Sequence, residues 1–84
     1  MSREQIFQRL KGLIAAQLNV SADEITESSD FIVDLHADSL AVVDLVMSIE
    51  DEFNLKIDDE DAEQLQTVSR VLNYLEGALQ IRGR

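Results

Sequence analysis

Three residue types capable of proton and acyl chemistry crowd into the stretch HADSL, residues 36 to 40: His36, Asp38 and Ser39. A serine nucleophile needs a base in hydrogen-bond reach, a group that orients the base, and donors for an oxyanion. His36 is the sole histidine of the chain. The nucleophile elbow Gly-x-Ser-x-Gly would read Ala37-Asp38-Ser39-Leu40-Ala41 here. Both glycines that permit its strained turn are missing, and no parallel sheet is signalled on which such an elbow could stand. Serine catalysis is therefore set aside. What the position offers instead is a helix start. Asp38 suits an N-cap, because its carboxylate can accept the free N–H groups of the first turn. Ser39 would then open the helix at its positive pole, where a phosphate ester is stabilised. On spacing alone, a small residue favoured at a helix start meets the pattern as well.

Metal chemistry finds less support. The acidic run DDEDAEQ, residues 58 to 64, has no EF-hand register. Counting from Asp58 or Asp59, the sixth position holds Glu63 or Gln64 instead of glycine, and the twelfth holds Ser69 or Arg70 instead of glutamate. Cysteine is absent, which removes disulfides, thiolate metal sites and cysteine nucleophiles.

The elements that position Ser39 follow from periodicity. Residues 2–18 read as a helix, with Ser2 and Gln5 at capping-box spacing and Ile6, Phe7, Leu10, Leu13, Ile14 and Leu18 on one face. Asn19 ends it. Residues 19–37 form a long connection, expected to be anchored by Ile25, Phe31, Ile32 and Leu35. Residues 39–53 read as the second helix, with Asn54 at its exit, and residues 58–64 as a short acidic helix. Thr67 caps a last helix over 68–80, with Val68, Val71, Leu72, Leu75 and Leu79 buried and Tyr74 at the edge; the terminal RGR is expected to fray. The expected fold is all-α: a small four-helix bundle with three longer helices, a short third helix and a long first loop, in a single domain over residues 1–84.

The second helix carries two apolar faces. With Leu40 at zero on a wheel of about 100° per residue, Leu45, Ile49, Val42, Phe53 and Val46 fall between about 140° and 240°. Leu40, Val43 and Met47 fall opposite, at about 0°, 300° and 340°, edged by Asp44, Asp51 and Glu50. A bundle helix needs one such stripe. The second reads as a docking strip, with an adaptable methionine; the alternative is that Val43 and Met47 pack under the long loop.

Charge sharpens the choice of partner. The chain has 17 acids and 7 bases, a net charge of −10. Residues 34 to 63 hold eleven of the acids and one base, so that window carries the whole imbalance. Nucleic acid would be repelled, and basic protein surfaces attracted and steered. The opening MSREQIF holds no apolar run of signal-peptide length, and no segment approaches the length of a membrane span. The expectation is a monomer in the cytoplasm, without membrane insertion.

With its helix context, the segment DLHADSLAVVDLVMSIEDEF, residues 34 to 53, resembles the acyl carrier proteins. The resemblance extends to the N-terminal helix, the loop ending in DFIVDL and the acidic IDDEDAEQL before the last helix. It implies that a holo-acyl-carrier-protein synthase transfers 4'-phosphopantetheine from coenzyme A to Ser39. The thiol of that arm would carry acyl chains as thioesters to fatty acid or polyketide synthesis enzymes with basic docking surfaces. It further implies that Asp38 flanks the attachment point and that Leu40, Val43, Asp44, Met47, Glu50 and Asp51 face partners. The chain itself would be no enzyme. Two positions depart from the family pattern. His36 stands where glycine is usual, read either as an exposed loop histidine or as a neighbour of the phosphate, and Asp58 stands where fatty acid carriers commonly have proline. They leave open a specialised carrier for polyketide or unusual lipid synthesis. A reading of another class is an unmodified acidic helical interaction module.

Overall fold

The computed structural model describes the backbone of residues 2–82 and the side chains of residues 2–79. Four α-helices follow in order: α1 Arg3–Leu18, α2 Ser39–Phe53, α3 Asp59–Gln64 and α4 Val68–Arg82. Among the described residues there is no strand, and α1 packs against both α2 and α4. The small all-α bundle expected from periodicity is the fold observed.

Local chemistry sets the helix ends. Ser2 Oγ accepts from the Gln5 N–H while the Gln5 side chain accepts from the Ser2 N–H, a reciprocal cap that starts α1. Asn19 and Asn54 end α1 and α2 in the left-handed conformation, at φ 55° and 52°. Asparagine tolerates that region better than most residues with a Cβ. Thr67 Oγ1 accepts weakly from the Arg70 N–H, at 3.4 Å, at the start of α4. Asp58 occupies the N-cap of α3 but makes no side-chain cap bond, so α3 rests on packing and on acidic residues at its positive end. The helix α4 continues through Arg82, beyond the expected end at residue 80. Of the RGR expected to fray, Gly83 and Arg84 lie outside the described residues.

The core is aliphatic. Ile6, Leu10 and Ile14 of α1 meet Leu45 and Ile49 of α2 and Val68, Val71, Leu72 and Leu75 of α4, all fully buried. Each such side chain contributes about 1.5–3 kcal/mol through removal from water. Phe7, Leu13, Leu18 and Leu79 are only partly buried at its margin, and Tyr74 packs at its edge as expected. Arg3 bonds Glu76 and Asn73 of α4 and, at 2.6 Å, Glu27 of the first loop, which gathers three elements around one guanidinium.

The long connection is not featureless. It contains a 3-10 turn at Ala22–Glu24, capped by Ser21. Ile25, Phe31 and Leu35 plug it into the core. The expected fourth anchor, Ile32, points outward and is 57% exposed. Its N–H and that of Val33 are both drawn to the carboxylate of Asp30, which turns their side chains away from the core. Asp30 and Thr67 form an isolated antiparallel bridge, with the Phe31 N–H on the Gln66 carbonyl and the Val68 N–H on the Ser29 carbonyl. The loop is thereby stitched to the α3–α4 junction.

Candidate functional site

Ser39 is the first residue of α2, and it is exposed. Asp38 precedes it in extended conformation, and its Oδ1 accepts the Ala41 N–H at 2.7 Å, the N-cap expected for it. The approach to this pair is rigidly built. The Asp34 and Leu35 N–H groups bond the Asp30 carbonyl, the Ala37 N–H bonds the Phe31 carbonyl at 2.8 Å, and the Asp34 carboxylate accepts the Asp30 N–H at 2.7 Å. Buried Leu35 and Ala37 flank exposed His36. His36 sits at φ 60°, in the left-handed region where glycine is free of strain. Histidine is among the few residues that adopt it with any frequency. This left-handed residue follows the turn at 31–35 and stands two positions before the cap, so this histidine has a backbone duty there.

The three types that suggested catalysis are thus separated by role. Asp38 is spent on the helix cap, and its carboxylate bonds a backbone amide. Among the described residues no cluster of three His, Asp or Glu side chains suits a metal ion.

The two faces of α2 separate as the wheel predicts. Leu45, Ile49 and Phe53 are buried, with Val42 and Val46 partly so. Leu40, Val43 and Met47 are 70%, 54% and 58% exposed, so they do not pack under the first loop. Asp44 and Asp51 are exposed beside them. Glu50 differs: it is half-buried, and its Oε2 accepts the Ile57 N–H at 2.8 Å. It braces the entry to α3 while standing at the edge of the strip. The Tyr74 hydroxyl is held above its ordinary range, first by burial and then by Asp61, which both repels the phenolate and accepts its hydrogen bond, with smaller contributions from Asp58 and Glu50.

A groove of about 410 Å³ opens beside Ser39, with Ile32, Val33 and Val42 in its walls. Exposed Ile32 and Val33 were missed in the sequence. The available signal was Asp30 ahead of three consecutive apolar residues: an aspartate that bonds the N–H groups two and three positions on makes a turn, and a turn cannot face all three inward.

An exposed hydroxyl at a helix start suits a phosphodiester, because the first turn leaves N–H groups without intrahelical partners. An apolar wall beside it suits the uncharged remainder of a pantetheine arm. The residues present therefore fit a covalently held phosphopantetheine. The comparisons with known proteins agree. A family model described as a phosphopantetheine attachment site matches residues 8–75, a span that includes all of α2. The fold and site define a phosphopantetheine carrier domain, with 4'-phosphopantetheine as its cofactor. Over 78 residues the chain is 46% identical to the acyl carrier protein of Thermotoga maritima, which covers 93% of this chain and 96% of that protein. Over 71 residues it is 49% identical to the acyl carrier protein of Wolinella succinogenes, covering 84% and 93% respectively. The chain belongs to the acyl carrier protein family and functions as a carrier, not an enzyme.

Proposed function

We propose that Ser39 is the attachment point of 4'-phosphopantetheine and that the chain presents acyl thioesters on this arm to the enzymes of fatty acid synthesis. The observation that carries the reading is the position of Ser39: exposed, first in α2, directly after a cap that bonds the backbone of its own helix. The group, when bound, supplies a thiol that holds the acyl chain as a thioester. The chain supplies the hydroxyl, the positive helix end for the phosphate and an adjoining surface for partner enzymes. Leu40, Val43 and Met47 form the apolar part of that surface, and Asp44 and Asp51 its acidic rim. Among the described residues no helix is long and apolar enough to cross a membrane. A cytoplasmic carrier, loaded by a holo-acyl-carrier-protein synthase and working as a monomer, fits this reading.

Incubation with coenzyme A and a phosphopantetheinyl transferase, followed by intact mass, is the test. One added phosphopantetheine, lost in Ser39→Ala, is the expected result. An unmodified wild-type chain with a broadly tolerant transferase would favour the interaction-module reading instead.

A further inference from the structure

The strip on α2 does not account for all the exposed apolar surface. Val33 is 72% exposed, more than any other large hydrophobic residue among the described ones, and Ile32 is beside it. Neither is loosely held. Asp30 Oδ1 accepts both of their N–H groups at 2.9 Å, while the flanking Phe31 and Leu35 are anchored in the core. The turn thus holds two branched apolar side chains outside, already ordered, so little further backbone entropy would be lost when a partner covers them.

Their location says which partner. Ile32 and Val33 share the groove wall with Ser39. That groove runs on into a second, of about 630 Å³, lined by Val43 and Met47; Val42, Ala62 and Glu63 belong to both. An enzyme that attaches a group to Ser39 must bring its reacting atoms to the hydroxyl, and in doing so it covers this wall. The acids around the groove, Asp30 and Glu63 in its lining and Asp34 in the turn, ask for a basic rim on that enzyme.

We infer that Ile32 and Val33 are a second docking patch, which seats against an apolar, basic-rimmed surface of the transferase that modifies Ser39. The inference rests on Ser39 being the attachment point. The test compares the wild type, the double variant Ile32→Gln/Val33→Gln and the control Ala16→Gln, an exposed position on α1. Each is titrated as substrate of a phosphopantetheinyl transferase with saturating coenzyme A, and modification is read by intact mass. The double variant should raise the KM for the carrier about tenfold, with kcat within about twofold, because apolar anchors at an interface act mainly on affinity. Ala16→Gln should match the wild type. Thermal melts by circular dichroism establish that each variant is folded, and Val33→Gln alone carries the test should the double variant fail to fold. An unchanged KM overturns the inference. So does a fall in kcat at unchanged KM, which would make the patch a support for the serine. If the wild type is not modified at all, the attachment reading falls and takes this inference with it; a modified wild type with an equally good double variant removes the inference alone.

Discussion

The carboxylate of Glu50, on the last turn of α2, holds the backbone N–H of Ile57 at 2.8 Å, seven residues along the chain and on the far side of the α2–α3 corner. Ile57 is buried, so its amide has little access to water as an alternative partner. A residue that the helical wheel places among the acids edging the exposed strip is therefore also a structural brace.

Glu50→Ala should lower stability by about 1 kcal/mol, because a charge-assisted bond to a shielded amide is lost. In a domain of this size that corresponds to a fall in Tm of roughly 4–8 °C. Glu50→Gln keeps an acceptor and should lose less. Urea or thermal unfolding decides the matter, and coincident melts of Glu50→Ala and wild type would contradict the brace.

Asp44 provides the contrasting case. It is exposed beside Val43, and among the described residues no side-chain bond or ion pair ties it to another element. Asp44→Lys should slow association with a basic partner several-fold at low salt, an effect that added salt diminishes by screening the steering field. Its stability should stay within about 0.5 kcal/mol of the wild type. Stopped-flow association at two ionic strengths measures this; equal rates for variant and wild type at low salt would remove the steering argument.

His36 tests backbone against side chain. At φ 60° glycine fits without strain, whereas a β-branched residue is severely disfavoured. His36→Val should be less stable than His36→Gly by about 1–2 kcal/mol. Denaturant titration of the two variants is the measurement. Equal midpoints would mean that the left-handed turn is not required at this position.

Tyr74 gives stability a dependence on pH. Its folded-state proton is held above the ordinary tyrosine range by burial and by Asp61. The unfolded chain therefore releases that proton first, near pH ~10. The contribution is fully present below that value and is lost as pH rises toward the folded-state value. Between about pH 9 and 11, wild type should lose stability more steeply than Tyr74→Phe. Parallel pH profiles would show that the phenol is not coupled to folding.

Much of this molecule is legible in its sequence. Helical period alone placed α1, α2 and α4, because an apolar stripe must find a core and these stripes are long. The caps at Ser2, Asp38 and Thr67 and the exits at Asn19 and Asn54 are local chemistry, settled within a few residues of chain. The Asp-Ser-Leu step at a helix start, with an opposite apolar strip edged by acids, pointed to a docking surface beside an exposed serine, and the carrier role came from the resemblance of that segment to the acyl carrier proteins. The limits appear where short-range rules compete. Asp58 has the right side chain for a cap, yet forms none. Ile32 is as hydrophobic as Ile25, yet one is outside and the other buried, because the Asp30 carboxylate turns the backbone and only two of the neighbouring apolar residues can face inward.

Composition and spacing determined that this chain is a helical, strongly acidic protein with a serine opening its second helix. These properties depend on hydrogen bonds and periodicities that span at most a few turns. Only the tertiary structure decided that Glu50 braces the corner before α3, that the first loop is stitched to Thr67, and that Val33 stands in the open beside Ser39. Each of those depends on which distant backbone atom ends up within bonding distance, and that follows from the packing of the whole chain, not from any stretch of it.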